Sequence, residues 1–351
     1  MVKTSEILIG IALSKSLLKF VSINFFNISK SRKTRCWGCQ SLSVIRWGKQ
    51  LGKQRFKCKD CGLLFTRSNP GVSKGNRFIW FRDWIVGKQT YEQISSESGY
   101  SVRTLKRYFE VYLSDYPTWK IRTTEKLNLL IDGTYFANKV CLVLYRNHSV
   151  KSTLMYRLTD GEWLDEMIED LQNMVNLGIC IESVTCDGLS NIIKAVKAVD
   201  SQTITQRCVI HIQREALTWL SRNPQSQAGI ELRYIIQRLH FIEDRYYWAY
   251  WVVELQQWYD SYHDFINHKS YKADTNRYWY THKSVRKPFI HIKRALPNMF
   301  HYLDNENIPK STNGLESFFG HLKQNISIHR GLSKEHYKNY IKWYLYFKSN
   351  E

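Results

Sequence analysis

The stretch LNLLIDGTYFANKVCLVLYRNHSVKSTLMYRL, Leu127 to Leu158, holds three runs rich in strand-forming residues: LNLLIDGTYF, VCLVLYR and STLMYRL. Turn-like residues separate them, so three successive short strands are predicted. The first run carries Asp132 followed by Gly133. That pair reads as the end of the strand, with a sharp turn leaving the carboxylate exposed at the sheet's edge.

Downstream the pattern alternates. EWLDEMIEDLQNMVNLG is an amphipathic helix ending at Gly178. The buried strand ICIESVTCDG leads into the helix LSNIIKAVKAV, and TITQRCVIH leads into a helix beginning near Ile212. Three antiparallel strands followed by alternating helices and strands is the order of a ribonuclease H-like α/β fold. From about Leu217 to Asn305 the strand signal disappears, and AGIELRYIIQRLH and YYWAYWVVELQQWYDSYHDFINH read as an all-helical insertion.

Asp187, in VTCDGLS, ends the fourth strand as Asp132 ends the first. In this order those strands are neighbours and the two carboxylates converge. Paired hard anionic oxygens repel one another and suit Mg²⁺ or Mn²⁺. A third carboxylate lies in KSTNGLESFFGHLKQ, Lys310 to Gln324. Taken alone, Asn313 is an N-cap and Glu316 the capping-box residue that reaches back to it.

The chain has 351 residues, 51 Lys and Arg, 31 Asp and Glu, and a net charge of +20. Residues 1–126 hold 24 basic and 8 acidic side chains, a net +16, which points to a polyanionic partner. That partner is nucleic acid or an acidic membrane surface, and no segment is apolar enough to span a bilayer. The longest unbroken apolar run near the start is Ile7 to Leu13. Residues 1–30 read as a loose or amphipathic extension without a convincing signal-peptide cleavage site. Nothing in the cysteine usage demands an oxidising compartment, and a cytoplasmic location is expected.

Cys36-x2-Cys39 and Cys58-x2-Cys61 are separated by eighteen residues, the spacing of a zinc ribbon. Two thiolate knuckles give the tetrahedral sulfur set that one structural Zn²⁺ prefers, and a basic hairpin joins them. TYEQISSESGYSVRTLKRYFEVYL, Thr90 to Leu113, then reads as two helices about a turn at Gly99, with Ser101 capping the second. This is a helix-turn-helix presenting Arg103, Lys106 and Arg107 outward, and beside a basic ribbon it favours double-stranded DNA.

DGTY, CDGL, RCVIH and STNGLE occur in the order found in DDE transposases of bacterial insertion sequences related to Mutator-like elements, which the chain resembles from the ribbon to about Arg330. The resemblance implies a ribonuclease H-like core interrupted by a helical insertion, and a triad of Asp132, Asp187 and Glu316 holding two Mg²⁺ or Mn²⁺ ions. Lys323, two turns beyond Glu316 on the same face, corresponds to a basic residue that holds a DNA phosphate. Cys208-x2-His211 matches a further motif, of structural or substrate-positioning role. Pro309 and Thr312 depart from the Tyr and Arg of the wider signature. The implied organisation is an extension (1–30), zinc ribbon (31–72), helix-turn-helix (73–118), first part of the core (125–216), insertion (217–305) and last part of the core (306–351). The implied function is binding of terminal inverted repeats, metal-dependent cleavage and strand transfer into target DNA, by a homodimer or larger synaptic assembly. A non-catalytic DNA-binding regulator and a nuclease that cuts without joining are the alternatives.

Overall fold

The computed structural model describes residues 34–36, 38–50, 52–66, 70–118, 126–149 and 152–349. The extension read at residues 1–30 lies outside them. The chain divides near Tyr116 into two compact units.

In the first unit, strands β1 (Val44–Gln50), β2 (Lys53–Cys58) and β3 (Leu64–Thr66) form an antiparallel meander in that order. Among the described residues its buried core is Cys36, Phe56, Cys58 and Phe65, with Val44 packed against them. Hydrophobic burial on that scale does not hold a fold without a staple.

Helices α1 (Pro70–Val86), α2 (Tyr91–Ser98) and α3 (Val102–Leu113) follow. The α2–α3 pair lies where the sequence places it. Thr90 and Gln93 form a capping box at the start of α2, Gly99 takes the left-handed conformation at its end, and the Ser101 hydroxyl accepts from the Thr104 N–H. The sequence reading omitted α1, which begins inside the stretch assigned to the ribbon. Gly71 and Gly75 dilute the helical signal over its first turns. Its later turns complete the core: the Phe81 ring lies 5.5 Å from Phe109 and 4.8 Å from Tyr112, and Trp84 lies 5.4 Å from Phe109.

The second unit is a mixed α/β structure. Strands β4 (Leu127–Phe136), β5 (Val140–Asn147) and β6 (Ser152–Thr159) precede α4 (Leu164–Asn176), β7 (Ile181–Cys186), α5 (Ser190–Val199) and β8 (Ile204–Arg207). The sheet order is β6-β5-β4-β7-β8. The first three strands pair antiparallel, and β4, β7 and β8 pair parallel, as the run-and-alternation pattern predicts. Leu129, Ile131, Val143, Met167, Leu171, Val184 and Ile192 are among the side chains buried between the sheet and α4 and α5.

One polar cluster is sealed into this core. Asp170 of α4 accepts from Arg157 Nε at 2.9 Å and from the Tyr145 hydroxyl at 2.9 Å. Removing one partner of such a buried pair costs roughly 3–5 kcal/mol, so it ties α4 firmly to β5 and β6.

Helices α6 (Val209–Leu220), α7 (Gln227–Gln237) and α8 (Arg245–Asn267) come next. They precede β9 (Lys269–Lys272), β10 (Arg277–Tyr280) and α9 (Lys283–Ala295). The insertion is therefore not all-helical. β9 and β10 form an antiparallel hairpin closed by Asn276 at φ 48°. Its side chains are almost all exposed, so it carries no burial signal for a sequence reading to detect. The helices have their own core, in which Trp251 Nε1 donates to the Ile235 carbonyl and Trp258 Nε1 to the Ala228 carbonyl, both at 2.9 Å. These tryptophans are packing residues. Helices α10 (Asn313–Ser327) and α11 (Lys334–Ser349) close the unit.

Candidate active site

Asp132 does not end its strand. β4 continues through Gly133 to Phe136, held by β5, whose Leu144 pairs with Asp132 and Val140 with Phe136. What ends near Asp132 is the parallel ladder with β7, whose last pair is Leu130 with Thr185. Two residues further along each strand stand Asp132 and Asp187, so the register brings the two carboxylates side by side. Asp187 does lie at a strand end: its Oδ1 accepts from the Leu189 N–H at 2.8 Å, and Gly188 turns with φ 99°. That φ lies where side chains are strained, so the turn favours glycine, and a Cβ there would also displace the Arg207 guanidinium.

Burial raises the Asp132 carboxyl from 3.8 to about 7, with the Asp187 charge adding to the effect and His211 opposing it. A fourth carboxylate, Glu162, was read only as the start of a helix. It lies in the loop between β6 and α4, where its carboxyl packs over Gly133; a Cβ there would stand 2.3 Å from Glu162 Oε1. Asn191 of α5 donates to the Glu162 carbonyl at 2.9 Å and fixes the loop. Burial, then the Asp187 charge, raise the Glu162 carboxyl as well.

The metal-free protein should therefore show a particular pH dependence. A carboxyl raised in the folded state binds its proton more tightly there than in the unfolded chain, so it costs stability as pH rises from about 4 through 7. Asp132→Asn is expected to stabilise the metal-free protein by ~2–4 kcal/mol at pH 8 and by almost nothing at pH 4. Thermal unfolding at the two pH values checks this, and Mg²⁺ should stabilise the native protein but not the variant.

Glu316 approaches from α10, and the capping-box expectation fails. Thr312, not Asn313, is the N-cap, and Glu316 lies too far along the helix to reach back to it. Its carboxylate instead meets two side chains of α6. His211 Nε2 is 2.9 Å from Oε1, and Arg214 contacts Oε1 at 2.8 Å and Oε2 at 3.3 Å. The hydrogen bond from Arg214 is the main cause of a lowered Glu316 carboxyl. Cys208 caps α6, and His211 sits three residues on. Their hydrogen bond raises His211 to about 9; burial works against a lowered Cys208 thiol, but His211 and Thr312 outweigh it.

Among the described residues, the only group of three or more His, Cys, Asp and Glu with ligand atoms all within 4.8 Å is Cys36, Cys39, Cys58 and Cys61. Asp132, Asp187 and Glu316 are not closed to that degree. The four thiols are free of disulfides, and Cys36–Cys61 and Cys39–Cys58 sulfurs lie 3.4 and 3.6 Å apart. A zinc tetrahedron with Zn–S near 2.3 Å has edges of about 3.8 Å, so the set fits one structural zinc ion.

The basic residues singled out in the sequence are all exposed. Arg103, Lys106 and Arg107 line the outer face of α3. Lys323 stands on α10 with its ammonium 5.7 Å from the Phe136 ring, on a rim shared with Tyr135, Arg330 and Tyr337.

Two aspartates thus stand at matched positions beyond the ladder of two neighbouring parallel strands, and His211 of α6 feels the charges of both Asp132 and Glu316. The sequence model of the family described as "Transposase, Mutator family" matches residues 86–330, from the end of α1 to just beyond α10, and the chain belongs to that family. No individual curated protein matches it significantly. The cysteine cluster lies outside the matched residues.

Proposed function

We propose that this chain is a DDE transposase of a bacterial insertion sequence, which binds the element's terminal inverted repeats, cleaves there and joins the freed ends to target DNA. The second unit is read as a ribonuclease H-like core with a largely helical insertion. The observation that carries the proposal is the β4–β7 register, which sets Asp132 and Asp187 each two residues beyond its last pair, Leu130 with Thr185. An anionic pair that raises one member to about 7 is a donor set of hard oxygens suited to divalent cations. Asp132, Asp187 and Glu316 would hold two Mg²⁺ or Mn²⁺ ions. Bound there, the cations supply Lewis-acid activation of the attacking and leaving oxygens of a phosphodiester.

The chain's own groups do the rest. The Asp132 carboxylate is oriented by the Gly133 N–H at 2.9 Å and that of Asp187 by the Leu189 N–H at 2.8 Å, so little reordering is needed when substrate arrives. Lys323 and Arg330 offer cations at the rim for the DNA backbone. The zinc ribbon and the α2–α3 helix-turn-helix hold the terminal repeats, with Arg103, Lys106 and Arg107 toward DNA. Because two ends are joined, the working form is a homodimer or larger assembly on DNA, in the bacterial cytoplasm.

A strand-transfer assay on a pre-cleaved terminal repeat tests the proposal. Joined product is expected in Mg²⁺; cutting without joining would favour a nuclease, and binding alone a regulator. A fragment spanning residues 31–118 should bind duplex DNA by itself. Replacing Arg103, Lys106 and Arg107 together by Ala should weaken it at least ~10-fold and reduce the slope of log affinity against log salt by about 2–3. Fluorescence anisotropy across a salt series measures both.

A further inference from the structure

Cys208 and His211 have no part in the reaction as proposed so far, yet His211 meets Glu316. The N-termini of α6 and α10 abut. The Val209 N–H donates to the Lys310 carbonyl at 3.1 Å, and the Thr312 N–H donates to Cys208 Sγ at 3.4 Å. The Thr312 hydroxyl lies 3.3 Å from His211 Nδ1. Cys208 and Thr312 are fully buried. The two-residue spacing is what a helix start requires: an N-cap thiol and the third helical residue lie side by side. His211 is thus held through its inner nitrogen, and its outer nitrogen reaches Glu316. Arg214 differs. Its side chain is 56% exposed against 21% for His211, and its long, rotamer-rich stem has no comparable anchor described around it.

We propose that His211 is the positioning residue of the centre, holding Glu316 through Nε2, and that Arg214 is an exchangeable partner that gives up the carboxylate when Glu316 takes a metal ion. Cys208 and Thr312 set the imidazole, and that is the role of the Cys-x2-His motif. This rests on the reading of Glu316 as a metal ligand. The two α6 residues then have opposite effects on the metal: one orients its ligand, the other competes with it.

Mn²⁺ titration of the full-length, zinc-loaded protein followed by electron paramagnetic resonance separates them without any activity measurement. Glu316→Gln should weaken Mn²⁺ binding. His211→Ala should weaken it ~10-fold or more, as loss of an orienting partner does. His211→Gln, whose amide N–H takes the place of Nε2, should restore most of the affinity, and His211→Asn, whose amide falls short of Glu316, should not. Arg214→Gln should tighten binding by about 3-fold or more, as loss of a competing ion pair predicts. If Glu316→Gln weakens Mn²⁺ binding and His211→Ala leaves it unchanged or tighter, the positioning role is overturned and the ligand reading stands. If Glu316→Gln changes nothing, the ligand reading falls and the proposal with it. Weakening by Arg214→Gln equal to that of His211→Ala overturns the division of roles. Should His211→Ala fail to fold, equal Mn²⁺ affinity in the Gln and Asn variants overturns the proposal.

Discussion

Asp132→Asn and Asp187→Asn should each lower DNA cleavage and joining by at least about 10³-fold, with binding of terminal-repeat DNA largely unchanged. Each swap keeps the size and hydrogen-bonding capacity of the side chain and removes the charge that would hold a cation. The strand pairing that places both residues lies in the backbone and survives the change. DNA binding is expected to persist because the recognition surface is assigned to the ribbon and to α3. The double variant should be about as inactive as either single one, since groups serving one centre act as a unit. Gel assays of cleavage and joining, beside a binding titration, measure all three quantities. Wild-type rates in either variant would remove that aspartate from the centre.

Cys58→Ser should cost the protein its zinc and, with it, the ribbon. Cys58 is fully buried in a core of four residues. The binding free energy of a structural zinc site, about 10–16 kcal/mol in small domains, far exceeds what such a core supplies. Elemental analysis is expected to give one Zn²⁺ per native chain and close to none in the variant. Terminal-repeat affinity should fall at least ~10-fold, while the second unit unfolds at its usual temperature. Native protein without zinc, or with these cysteines in disulfides, would contradict the assignment.

The central sheet was legible because its strands are long apolar runs, and the change from runs to alternating helices and strands encodes the crossovers. That order also places β4 beside β7, so the meeting of Asp132 and Asp187 could be read before any coordinates. The turn at Asp132 was misread because Asp-Gly usually ends a strand. Here β5 continues the pairing, and the carboxyl of Glu162 packs over Gly133. Glu162 itself resembled an ordinary helix start; only the folded loop brings it to the pair. The capping-box reading of Glu316 was a reasonable local inference, overridden by tertiary contact. The Thr312 N–H goes to Cys208, and the Glu316 carboxylate goes to His211 and Arg214, a hundred residues away in sequence. The hairpin of β9 and β10 escaped notice because it is exposed and almost nothing in it packs.

The most direct test is strand transfer of a pre-cleaved terminal repeat in Mg²⁺ by the native protein and by folded Glu316→Gln. The native protein should join the 3′ end to target DNA, and the variant should bind the end without joining it. Full joining by Glu316→Gln, or cutting without joining by the native protein, would contradict a centre built from Asp132, Asp187 and Glu316.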